Sequence, residues 1–178
     1  NAYVAILNAA DGVANGGLAL TAANYQNIGL TDINSSSRAN LFSSILDSSV
    51  VSSVDTYSEL QILANIVARL SVTAAGGTPA PPLTAAELAL IGISGVTSTN
   101  LSSVLATIAA TLDSGSGIDD LAKLQAVVDT GIANARAASQ AIIANYDGTN
   151  TVPTSADFVN IEVTRIISGE IIAINTFI

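Results

Sequence analysis

The sequence predicts an all-α fold of tandem helical repeats of about 63–70 residues, each a short helix followed by two longer ones, stacked as small bundles. Three observations predict it. A threonine-led segment occurs three times, as Leu20-Thr21-Ala22-Ala23-Asn24-Tyr25, Leu83-Thr84-Ala85-Ala86-Glu87-Leu88 and Pro153-Thr154-Ser155-Ala156-Asp157-Phe158, at intervals of 63 and 70 residues. Such a period is the mark of a repeat architecture. Between these segments, apolar residues recur at helical spacing, with Gly and Pro clusters separating the runs. Hydrophobic residues make up 49% of the chain and aromatic ones only 4%, so the core is expected to form from many small Ala, Val, Ile and Leu contacts.

The elements follow in order. Ala5-Ile6-Leu7 ahead of Asp11-Gly12 resembles Ala141-Ile142-Ile143 ahead of Asp147-Gly148, so residues 1–12 are expected to be the tail of a preceding repeat. Residues 13–75 and 76–146 are then two full repeats, and 147–178 part of a third. In each unit the threonine sits where a side-chain oxygen can accept from first-turn amides. Thr84 with Glu87 forms a capping box, and Thr154 with Asp157 a weaker version. Gly29 and Gly92 fall where a left-handed cap would end the short helix. Glu162 departs from that pattern, so the third short helix is expected to end less cleanly.

The second helix of the second repeat carries the stripe Leu101, Val104, Leu105, Ile108 and Leu112, and Ile171, Ile174 and Ile178 stand 70 residues after three of these. For the third helix, Tyr57, Leu60, Ala64 and Val67 serve in the first repeat, and Leu121, Leu124, Val128, Ile132 and Ala135 in the second, continuing to about Tyr146. Asp55 and Asp119 are the expected helix starts, because carboxylates suit the positive end of a helix dipole. Loops are expected at Asn15-Gly16-Gly17, Gly76 to Pro82 and Asp113 to Gly117.

Composition excludes several functions. The chain has 14 acidic and 5 basic residues, a net charge of −9, with Arg38, Arg69, Lys123, Arg136 and Arg165 scattered singly. Phosphate binding needs clustered cations, so nucleic acid is not an expected partner. Every apolar run is interrupted well short of the roughly 18 residues a membrane span needs, so no membrane insertion is expected. Histidine and cysteine are absent, which removes Ser-His-Asp and Cys-His nucleophiles, and a Ser-Lys pair would have to use Lys123. The pair Asp119-Asp120 could serve acid/base chemistry but reads more simply as a helix cap with a first-turn acid. No phosphate-cradling motif occurs. The chain is therefore expected not to be an enzyme. Its scarce Lys and Arg, with abundant Ser, Thr, Asn and Gly, point to an extracellular or cell-surface setting.

The motifs Gly92-Ile93-Ser94-Gly95-Val96-Thr97, Asn100-Leu101, Leu124-Gln125-Ala126-Val127-Val128-Asp129 and Tyr146-Asp147-Gly148-Thr149 resemble the tandem α-helical repeats of very large secreted bacterial adhesins and biofilm-associated proteins. The likeness is best from about Leu83 to Phe158. Leu30-Thr31-Asp32-Ile33-Asn34 replaces the Gly-containing turn in the first repeat. The resemblance implies an extracellular, often calcium-rich setting and a role as spacer, stalk or contact surface; it brings no catalytic residue.

Two function classes follow from this reading. One is a structural or adhesive repeat segment of a bacterial surface or biofilm-matrix protein, its partners the flanking repeats. The other is a self-assembling subunit of an extracellular filament or lattice, its partners other copies of itself. Candidate self-association residues are Val4 and Leu7 at one end and Ile166, Ile171, Ile174, Phe177 and Ile178 at the other, because helical stacks without polar caps expose apolar ends. No cofactor is expected. Calcium is the one ligand for which the surface offers oxygen donors, with Asp113, Asp119 and Asp120 around a Gly loop as candidate ligands, although the stretch lacks the EF-hand pattern and also reads as an Asx turn. Two N-glycosylation sequons occur, Asn34-Ser35-Ser36 and Asn100-Leu101-Ser102.

Overall fold

A computed structural model describes residues 2–16, 18–163 and 171 of the 178. Among these, the helices are α1 (Ala2–Ala9), α2 (Ala22–Gln26), α3 (Ser36–Ser48), α4 (Tyr57–Ala74), α5 (Ala85–Leu90), α6 (Leu101–Ala109), α7 (Leu121–Ala144) and α8 (Ser155–Asn160). Single 3-10 turns at Val51–Ser53 and Ser116–Ile118 precede the two long helices. The one extended pairing among the described residues is an isolated antiparallel bridge between Asp11 and Val50. The all-α class is as the sequence predicts, and the order of short, middle and long helix occurs twice.

The short helices share one local design. Thr21, Thr84 and Thr154 each accept from the amide three residues on, at 3.3, 3.2 and 3.4 Å. The side chains of Asn24, Glu87 and Asp157 reach back to the threonine amides at 3.0, 2.9 and 2.8 Å. The box at Thr21 goes beyond the sequence reading: the Asn24 amide oxygen there does the work of a carboxylate. At the other end Gly29 and Gly92 take φ of +97° and +90°, which lets Leu30 and Ile93 donate back to Tyr25 O and Leu88 O at 3.1 and 3.0 Å.

The third short helix ends with fewer cap bonds, Ile161 N meeting only Val159 O where Ile91 N meets both Ala89 O and Glu87 O, yet its closing bond is kept. Glu162 adopts φ +69°, and Val163 donates to Phe158 O at 2.9 Å, the same closure. An L-residue pays about 1 kcal/mol or more for that conformation. Glu162→Gly is expected to raise stability by about 1 kcal/mol, because the Arg136–Glu162 pair that it removes is exposed and worth little. Urea midpoints of the two proteins check this; a drop would place the value in the ion pair instead.

The middle and long helices supply the core. In α3, Ser35 accepts from Arg38 N, Leu41, Phe42, Ile45 and Leu46 are buried, and the Tyr25 ring meets Phe42 edge-on at 4.9 Å. Helix α6 stops earlier than its stripe suggested. Val104 and Ile108 are fully buried, but Leu112 lies beyond the helix, 77% exposed and at φ +48°. The reason is tertiary: Thr111 Oγ1 and Asp113 N both donate to Ala74 O, at 3.3 and 3.1 Å, pulling the chain toward the end of α4. The helix starts shift by one residue from those expected. Thr56 and Asp120, not Asp55 and Asp119, cap α4 and α7. Tyr57 is 53% exposed rather than part of the buried stripe, and its hydroxyl donates to Gly29 O at 3.0 Å.

Packing between the segments recurs. Helix α6 packs on α7 and α3 on α4, while α1 packs on α3, α4 on α5 and α6, and α7 on α8. Arg69 near the end of α4 binds Glu87 at the start of α5. Ser139 near the end of α7 binds Asp157 at the start of α8, at 3.0 Å. Both pairs are 18 residues apart. Two chain returns are also tied by backbone bonds, Gly12 N donating to Ser49 O at 2.9 Å and Asp113 N to Ala74 O at 3.1 Å. One apolar cluster runs from Ile6 through Leu70 and Leu88 to Val128, so the Gly76 to Pro82 loop does not interrupt the core.

Candidate functional site

A cleft of about 1170 Å³ opens beside α3. Its floor is the polar side of α3, with Asn40, Ser44 and Asp47. One wall is the loop before α2, and the other is the start of α7 from Asp119 to Gln125. The sequence builds it locally. The Asp47 carboxylate, 3% exposed, accepts from the amides of Asn15 and Gly16, both at 2.8 Å, and so ties the loop to the floor. Ser44 Oγ accepts from Leu121 N at 3.1 Å and donates to Asp120 at 3.5 Å. That bond joins α3 to the start of α7.

The polar side chains that line the cleft are engaged with one another. Asp119 pairs with Lys123 at 2.6 Å. The hydrogen bond and charge of Asp119 hold the Lys123 ammonium above its ordinary pKa. Ser48 Oγ donates to Ser44 O within α3, and Ser43 Oγ is engaged with the Tyr25 hydroxyl at 2.7 Å.

The candidate calcium ligands are only partly brought together. Asp119 and Asp120 stand at the cleft edge, and Asp113 lies in the preceding turn. Both Asp113 oxygens accept from the loop itself, from Gly115 N at 2.5 Å and Gly117 N at 2.9 Å. Asp120 Oδ1 caps α7 through Ala122 N at 2.8 Å. Among the described residues no three His, Cys, Asp or Glu side chains are grouped to hold a metal ion. A cation here would compete with Lys123 and with the backbone amides for these oxygens.

Of the candidate self-association residues, Val4 is 52% exposed and Leu7 half-buried on α1, beside the fully buried Ile6. Ile171 is half-buried. Ile166, Ile174, Phe177 and Ile178 lie outside the described residues. Among the described residues no helix is long and apolar enough to cross a membrane.

Two residues that the sequence reading did not single out as functional organise these surfaces. Asp47 closes the cleft floor. Arg69, 8% exposed, donates to Pro81 O and Pro82 O at 3.4 and 3.2 Å as well as to Glu87. The sequence carried a signal for the second of these, since Arg69 and Ser139 each precede a capping-box acid by 18 positions. In comparisons with known proteins, no family model matches the chain, and neither a curated protein nor a solved structure matches it.

Proposed function

We propose that this chain is an extracellular structural or adhesive segment of a bacterial surface or biofilm-matrix protein, made of helical repeats that stack in tandem and carry no catalytic centre. The observation that supports it most is the recurring junction. The last helix of one unit meets the capping-box residue of the next at a fixed separation of 18, through Arg69–Glu87 and through Ser139–Asp157. A core assembled from such nearest-neighbour contacts extends in one dimension, which suits a spacer or stalk. The acidic surface and single lysine fit an exposed segment that repels nucleic acid and anionic lipid.

Arrays carrying one to four copies of residues 76–146 between the native flanks test this reading. Small-angle scattering is expected to show the maximum dimension growing by a constant step per copy, and the urea midpoint is expected to rise with copy number. A constant midpoint, with units behaving as independent beads, would overturn stacking. The apolar Val4 and Leu7 on α1 support a second reading, a subunit that assembles head to tail. Light scattering of the unmodified chain separates the two: concentration-dependent growth favours the filament, and a monodisperse monomer the passive segment.

A further inference from the structure

We propose that Asn34 is an acceptor for N-linked glycan and that Asn100, the other residue in a matching sequon, is not. The two triplets are alike in sequence and opposite in surroundings. Asn100 is 7% exposed, and both ends of its carboxamide are committed: Oδ1 accepts from Thr97 N at 2.8 Å and Nδ2 donates to Gly95 O at 3.0 Å. These bonds brace the turn that starts α6, so an enzyme could reach Nδ2 only by unfolding that turn.

Asn34 is exposed and lies in irregular chain just before α3. Neither its carboxamide nor the hydroxyl of Ser36 makes a hydrogen bond to a described residue, and Ser36 is exposed as well. Both groups a transferase must engage, the amide nitrogen and the hydroxyl two residues on, are thus free and on the surface. The flanking chain is nonetheless held in place. Arg38 Nη1 donates to Asp32 O at 2.8 Å, Gln61 Nε2 donates to Asp32 Oδ2 at 2.8 Å, and the cap role falls to Ser35 Oγ rather than to Asn34.

The donor class is a glycan carried on a polyprenyl pyrophosphate. Asn34 Nδ2 forms the bond to the anomeric carbon, and the bond from that carbon to the pyrophosphate oxygen breaks. The electron pair leaves with the pyrophosphate, and the amide gives one proton to the base of the transferase. The modification has an occasion in the cell only if the chain is exported, as the extracellular reading holds.

The test supplies enzyme and donor directly, so a failed acceptor is distinguishable from a failed localisation. Purified folded chain, bearing a flexible C-terminal sequon tag as internal standard, is incubated with a single-subunit oligosaccharyltransferase that requires only Asn-x-Ser/Thr and with lipid-linked oligosaccharide. Peptide mass mapping follows. Asn34 is expected to be modified to an extent comparable with the tag. Asn100 is expected to react at least about tenfold less, while a short peptide spanning it reacts freely, because local opening must precede transfer in the folded chain. Asn34→Gln should remove its adduct and leave the circular dichroism spectrum unchanged. An unmodified Asn34 beside a fully modified tag, or Asn100 reacting as readily as Asn34, would overturn the assignment.

Discussion

Gly131→Ala is expected to destabilise the protein by about 2 kcal/mol, against the usual direction for a glycine inside a helix. Helix propensity alone favours alanine by up to about 1 kcal/mol. At this position, however, a Cβ would stand 2.6 Å from the Cα of Val104 and 3.2 Å from Thr107 Oγ1. The nearest atom is backbone, so relief requires α6 to move off α7. Overpacking of this kind costs about 1–3 kcal/mol, and the movement would also strain the bond from Ser103 Oγ to Gly131 O, 2.9 Å. For a chain of this length the loss corresponds to a fall of roughly 4–8 °C in melting temperature. Truncating Val104 to alanine should not rescue the variant, because the closest contact survives. A more stable Gly131→Ala protein would mean that α6 and α7 are not in fact so closely apposed.

The second large effect is expected at Arg69→Met, with a loss of about 2–3 kcal/mol at neutral pH. Methionine fills similar volume but leaves Pro81 O, Pro82 O and the Glu87 carboxylate without their buried donor, and orphaned polar groups are costly. Glu87 keeps the Thr84 amide and hydroxyl at 2.9 and 3.0 Å and is 29% exposed, which holds the figure below that of a fully buried pair. Acid dependence gives a second signature. The hydrogen bond from Arg69 is the chief reason the Glu87 carboxyl sits below its ordinary 4.5, with burial opposing. A depressed carboxyl stabilises the fold above its unfolded pKa, and that stabilisation is lost as pH falls through the lower folded value. The gap between wild type and Arg69→Met should therefore be full at pH 7 and narrow below about pH 4. Urea midpoints at pH 7 and 3 measure it; a gap unchanged by acid would assign the effect to packing alone. Glu87→Gln in the Arg69→Met background should recover part of the loss, as coupled partners do.

The short helices were the most legible part of the chain, because their design is local. A threonine, a side-chain acceptor three residues on and a glycine eight residues after the threonine satisfy their backbone groups within a turn or two. Where a rule rested on one residue type it was read too narrowly: Asn24 completes the box that Glu87 completes elsewhere, and Glu162 enters the left-handed region that glycine prefers. Helix α3 was hard to read for a different reason. Its serines dilute the apolar stripe of Leu41, Phe42, Ile45 and Leu46, and their hydroxyls are satisfied by groups such as Ser44 O, the acceptor for Ser48, which periodicity does not register.

Helix class and the threonine caps of the short helices were determined by the sequence alone, since each depends on contacts among residues within a turn or two of one another. Tertiary structure decided where α6 ends and which face of α3 forms a cleft floor. These depend on partners 30 to 80 positions away, as with Asp113 N on Ala74 O or Ser44 beside Leu121. A hydrogen bond or close approach over that span is fixed by how helices pack, and no local spacing in the chain encodes it.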